Sequence, residues 1–299
     1  MLIALTLGCY AVGAGFALFA TRNGTPSWWG RFIRAQFLVA GATLSVTAGW
    51  RFRIGEQLVE AVVIAAVLYL ITAVAVITRA QGGRRRSTGE CVLEAWATNP
   101  NTGYWIIPIV TLLVGPAGTI VAVLVDQLLI PAFIWWVSRL RRDAPIQQQA
   151  RTRVFDYAGP IGFGAGLLLA QVVAAPSWTS TVLRFFGIFM AFIGAAMWAG
   201  SVRHTLAKLD RPTAEGWRRF LLLTGVRVLV YLGIVAVFWG TPAAPIAFLA
   251  AFTVPTFFPA NASVLYGYHC HVTGIASRWG WLLAPFGLLL AWWASTAVA

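Results

Sequence analysis

Apolar windows of about 20 residues, the length a helix needs to cross a hydrocarbon core, follow one another along almost the whole chain with only short polar joints between them. A chain written this way has few options. In lipid every backbone N–H and C=O must be paired inside its own segment or in a closed barrel, and windows of this length read as helices. With 59% hydrophobic and only 10% charged residues, the chain has too little polar surface to clothe a soluble globule. The expected fold class is all-α and integral to a membrane.

The first five windows run near 2–20, 31–49, 57–78, 92–114 and 117–138. The next five run near 156–175, 181–202, 219–239, 244–267 and 279–297. Basic residues test this division, because Lys and Arg collect in cytoplasmic loops. The odd-numbered joints and their edges hold Arg22, Arg31 and Arg34; then Arg79 and Arg84 to Arg86; then Arg139, Arg141, Arg142, Arg151 and Arg153. The later odd joints hold Arg203, Lys208, Arg211, Arg218, Arg219 and Arg278, whereas the even ones keep only Arg51, Arg53 and Arg184. That alternation predicts about ten transmembrane helices with both termini outside. The net charge of +13 is then a topology signal, and nucleic acid is excluded as a partner. Met1 leads into Leu-Ile-Ala-Leu with no basic stretch, so residues 1–20 read as a first span rather than a signal peptide.

Five spans is an odd number, so residues 1–140 and 155–299, joined by a basic cytoplasmic linker at 141–154, enter the membrane in opposite directions as two inverted five-helix repeats. The fourth window of each half is unusual. Asn99 to Gly115 mixes Asn101, Thr102, Gly103 and Pro108 into an apolar run, and Phe252 to Gly267 does the same with Pro255, Pro259, Asn261 and Ser263. Pro removes a backbone donor and clashes with the turn before it. Paired interrupted helices in corresponding places are the sequence mark of a transport site. Half-helix N-termini there present N–H groups and positive partial charge to a carboxylate; the plainer reading is a pair of kinks whose polar side chains repair the backbone.

These runs resemble a known family. Asn101-Thr102-Gly103 followed by Pro108 and Gly115, after a basic loop, is similar to the fourth-helix signature of the auxin efflux carrier family. The Pro-Ala-Asn-Ala-Ser-Val-Leu-Tyr-Gly run at 259–267 resembles its ninth-helix signature, and Arg227 the basic residue of its eighth helix. The family belongs to the wider superfamily of bile acid, auxin and arsenite type ten-helix transporters. The resemblance implies helices 4 and 9 broken and crossed at Pro108 and near Pro255 or Pro259, with a scaffold of spans 1, 2, 6 and 7. Spans 3 to 5 and 8 to 10 would then form a mobile unit giving elevator-like alternating access. It further implies small organic anions as substrates and a homodimer. The family usually has Gly two residues before the Pro, where this chain has Ile106.

Asp126 and Arg227 stand near the middle of apolar spans, where a charge costs about 2.5–3.5 kcal/mol on insertion scales unless paired or hydrated. Two roles are open: an ion pair tying the fifth span to the eighth, or Arg227 holding an anion while Asp126 takes up a proton. Gln127, one helical step on, is expected on another face. Glu56, Glu60, Glu90, Glu94 and Asp156 sit near window ends and read as interfacial. Paired Trp residues such as Trp28-Trp29 and Trp292-Trp293 read as interfacial anchors.

Cys9, Cys91 and Cys270 lie in unrelated segments, and His269-Cys270-His271 lacks the spacing of a zinc site, so no metal or other cofactor is expected. No nucleophile, phosphate-cradling or acidic metal motif points to an enzyme. The functional expectation is a permease for a small organic carboxylate in the inner cell membrane. A membrane receptor that keeps the pocket without moving solute is the alternative.

Overall fold

The computed structural model describes residues 2–24, 27–80, 94, 97–142, 157–205, 214–253 and 273–298. Among them every regular element is helical: α1 (Leu2–Ala20), α2 (Trp29–Arg51), α3 (Glu56–Ala80), a π-helical turn (Thr102–Ile106) running into α4 (Ile107–Leu113), and α5 (Pro116–Arg142). Then come α6 (Ala158–Val172), α7 (Trp178–Thr205), α8 (Ala214–Val237), α9 (Ala243–Ala251) and α10 (Thr273–Ser295). The stretches Glu56–Ala75, Trp178–Gly200 and Ala214–Val237 are long and apolar enough to cross a membrane, and shorter apolar stretches run over Ala4–Ala20, Thr102–Leu113, Pro116–Pro131, Ala158–Val172 and Leu283–Ser295. Pro255, Pro259, Asn261 and Ser263 lie outside the described residues, as do Glu90, Asp156 and His269 to His271.

Large apolar side chains face outward on α1 (Leu7, Phe19), α3 (Leu70), α6 (Leu168), α8 (Leu229) and α10 (Phe286). An outer surface of that kind is compatible with an integral membrane protein. The two short helices differ. All nine residues of α9 are buried, as are Ile107 to Thr111 of α4, and a helix apolar all round belongs inside its protein.

Glycine governs how closely the long helices meet. α1 lies along α7 and α2 along α6. A Cβ on Gly13 would overlap the Phe192 carbonyl oxygen, one on Gly49 that of Phe163, and one on Gly166 that of Val46. Lipid offers no hydrophobic drive between helices, so backbone contact of this closeness is what holds such pairs. Around them α3 packs on α5 and α8, α4 on α5 and α7, and α9 on α8 and α10. The short α4–α5 joint follows from its sequence. Gly115 takes φ +80 and its N–H closes on the Val110 carbonyl at 3.3 Å, while Pro116 opens the next helix where its missing N–H costs nothing.

Two groups expected at the interface are inside. Glu60 and Glu94 are each 3% exposed. Glu94 pairs with Arg219 of α8 at 2.7 Å, and Glu60 faces the Thr241 hydroxyl and the Ala243 N–H at the start of α9. Burial is affordable because each carboxylate meets a donor on a neighbouring segment, which a hydropathy window does not register. Trp29 is likewise buried, against Phe16, Phe32 and Gly200. Trp28 remains exposed, as do Trp292 and Trp293.

Candidate functional site

The interruption in the fourth apolar window falls at Asn99–Asn101, eight residues ahead of where Pro108 alone would put it. Pro100 supplies no N–H, and Asn101, at φ −81 and ψ 79, forms an inverse γ-turn in which the Thr102 N–H donates to the Pro100 carbonyl at 3.0 Å. The Asn101 side chain then caps the new helix, its Oδ1 accepting from the Tyr104 N–H at 3.3 Å. Its own N–H donates to the Thr253 hydroxyl at 2.9 Å. Thr253 follows the end of α9 at Ala251, so the interruption at Asn99–Asn101 meets the end of α9 here through one hydrogen bond. The Asn101 side-chain amide nitrogen is buried with no acceptor among the described residues.

Pro108 does not break the chain. It lies in the first turn of α4, and its missing N–H leaves the Tyr104 carbonyl, four residues back, without an α-helical donor. The π turn widens the backbone at that point, with the Ile106 N–H reaching the Asn101 carbonyl at 3.1 Å, and the Tyr10 hydroxyl of α1 donates to the Tyr104 oxygen at 2.6 Å. Ile106 is 1% exposed and packs in the core.

Asp126 on α5 faces this turn. The Thr102 hydroxyl donates to its Oδ1, and the carboxyl lies beside Gly103, where a Cβ would stand in ordinary contact with that oxygen at 3.5 Å. Gln127 is on the same side after all. Its Nε2 donates to Asp126 Oδ2 at 3.3 Å, because a long amide side chain can curl back across the 100° step between neighbours. Its Oε1 is buried with no donor among the described residues, tucked beside Gly159 of α6.

Asp126 and Gln127 line a cavity of about 30 Å³ together with Ser45 of α2, Ile107 of α4, Gly159 of α6 and Met190 of α7. That is room for about two waters at the ~10–15 Å³ each requires. It lies where α2, α6 and α7 meet α4 and α5.

Arg227 is elsewhere. It is 1% exposed, and its Nη1 donates to the Ala97 carbonyl at 2.9 Å, serving the helical stretch that stops before Pro100. Carbonyls at a helix C-terminus lack intrahelical donors, and a guanidinium is a strong one. Among the described residues no ion pair joins it to Asp126. The sequence reading missed Tyr10 and Thr253 and set Gln127 on another face. Each was visible only as a polar side chain in an apolar window, a signal that Asn101 and Thr102 share.

The fold and site define a helical protein compatible with membrane insertion, with a polar helix interruption at its centre. Comparison of the chain with known protein families, with curated proteins and with solved structures gives no match.

Proposed function

We propose that the chain is a secondary-type permease of the auxin efflux carrier kind, carrying small organic anions across the inner cell membrane, with both termini outside. The observation that carries this reading is the Asn101 N–H to Thr253 hydroxyl bond, which joins the interruption in the fourth apolar window to the end of α9 in the ninth. Irregular backbone at membrane depth is tolerated where it lines a protein-enclosed or wet site, and crossed interruptions of this sort are where secondary transporters hold their solutes. The unpartnered Asn101 amide is a neutral donor that a carboxylate would satisfy.

Packing supports two inverted repeats. Exchanging helices 1 to 5 with 6 to 10 turns the α1–α7 pair into α6–α2, and both pairs are backbone-close. The same exchange relates Glu60 of α3, facing the start of α9, to Arg219 of α8, bonded to Glu94 ahead of α4. On this reading α1, α2, α6 and α7 are the scaffold, and α3 to α5 with α8 to α10 are the unit that moves past it. The cavity at Asp126 lies on the boundary between the two.

Uptake of radiolabelled malonate and benzoate into proteoliposomes tests the reading. Saturable flux above protein-free liposomes, reduced in Asn101→Ala, is the expected result. Flux at the protein-free level for both carboxylates would sink it, and tight binding without flux would make the protein a receptor.

A further inference from the structure

Asp126 poses a problem for a site that takes anions. Its carboxyl sits at the interruption in contact with Thr102 and beside Gly103, and it lines a cavity large enough for water. Its partners are a hydroxyl and an amide, both neutral. Two ionised carboxylates in one confined site repel, and such pairs hold a proton between them.

Among the described residues no cation is bonded to Asp126. Arg227 is bonded to the Ala97 carbonyl, and Arg219 to Glu94 and the Ala75 carbonyl. Among the described residues, the elements packed on α5 present Asp126 with no charged group. α2 offers Ser45, α6 Gly159 and α7 Met190. On α3, Glu60 faces the start of α9, and the Tyr69 hydroxyl donates to the Leu128 carbonyl. The Tyr10 hydroxyl of α1 is on the Tyr104 carbonyl.

We propose that Asp126 is the coupling group of the transporter, accepting one proton from the aqueous phase when a carboxylate enters and releasing it on the far side, so that anion and proton move together. The proposal rests on the permease reading. The cavity gives the carboxyl room for water, between the side chains that move and those that stay on this reading. Gln127 is a positioning residue: its amide holds Oδ2 and leaves Oδ1 for Thr102. A carboxyl in the middle of a span that is bonded to the break, and meets no charged partner among the described residues, is the kind of group that marks a proton relay.

The test is malonate accumulation in proteoliposomes with the membrane potential clamped at zero by potassium and valinomycin. With the outside one pH unit more acidic, one coupled proton gives an inside-to-outside ratio of about tenfold. Asp126→Asn is expected to equilibrate malonate to a ratio near unity. A wild-type ratio of unity, or wild-type accumulation by Asp126→Asn, overturns the proposal. Absence of wild-type exchange between equal pools, for malonate and for benzoate alike, would instead overturn the permease reading and the proposal with it. A second measurement needs no variant: malonate added to the detergent-solubilised wild-type protein in weak buffer is expected to draw about one proton per ligand bound, and binding without proton uptake refutes the coupling role.

Discussion

The backbone N–H of Asn101 donates to the hydroxyl of Thr253 at 2.9 Å, closing 152 residues of sequence into one contact. Both groups are buried. Thr253→Val keeps the shape and removes the oxygen. Leaving a buried N–H without its partner costs about 1–3 kcal/mol, so the variant should melt lower in detergent by thermal shift, whereas Thr253→Ser should melt close to wild type.

Arg219 and Glu94 form a pair at 2.7 Å with Glu94 only 3% exposed. Arg219→Ala would remove the ion-pair partner of that buried carboxylate, at a cost of roughly 3–5 kcal/mol. Glu94→Gln made in the Arg219→Ala background should recover part of the loss. A double-mutant cycle on chemical denaturation in mixed micelles reads the coupling, and strict additivity would mean that the pair contributes nothing.

Gly166 of α6 is pressed on the Val46 carbonyl of α2, while two residues earlier Gly164 has open space around it. Gly166→Ala should destabilise by about 1–3 kcal/mol through overpacking. Gly164→Ala, with the better helix former and no clash, should be neutral or gain up to ~1 kcal/mol. Equal melting temperatures for the two variants would show that the α2–α6 contact is looser than described.

Ala42 of α2 and Ile130 of α5 line the same cavity from opposite sides of the proposed sliding boundary. Cysteines at both positions, in a background with Cys9, Cys91 and Cys270 replaced by serine, should cross-link with mercury. Flux should stop and return when excess dithiol takes up the mercury. Full transport by the cross-linked protein would rule out relative movement of these helices.

Orientation is checked at Asn23 and Ser177, both exposed between helices. The distribution of basic residues predicts Ser177 outside and Asn23 inside. In intact cells an impermeant maleimide should label Ser177→Cys and reach Asn23→Cys only after permeabilisation. The reverse pattern would invert the topology.

Much of the helical architecture is legible as hydropathy. Each of the ten apolar windows contains a described helix, though α8 begins at Ala214, ahead of its window, with Glu215 in a first turn where an acidic side chain suits the dipole. Hydropathy finds the lipid-like length, whereas backbone hydrogen bonding continues past it. The candidate site was legible in part. Asn101 and Thr102 were marked by their polarity, but Pro108 pointed to the wrong bond, because a π turn and the distant Tyr10 hydroxyl absorb it.

The sequence by itself determined that this chain is helical, apolar outside and interrupted in its fourth apolar window, since those properties are sums over neighbouring residues. Only the tertiary structure decided that Arg227 serves the Ala97 carbonyl, that Gln127 turns back to Asp126, and that Glu60 and Glu94 are interior. A buried polar group takes whichever partner folding brings within about 3 Å, and that partner can lie anywhere along the chain.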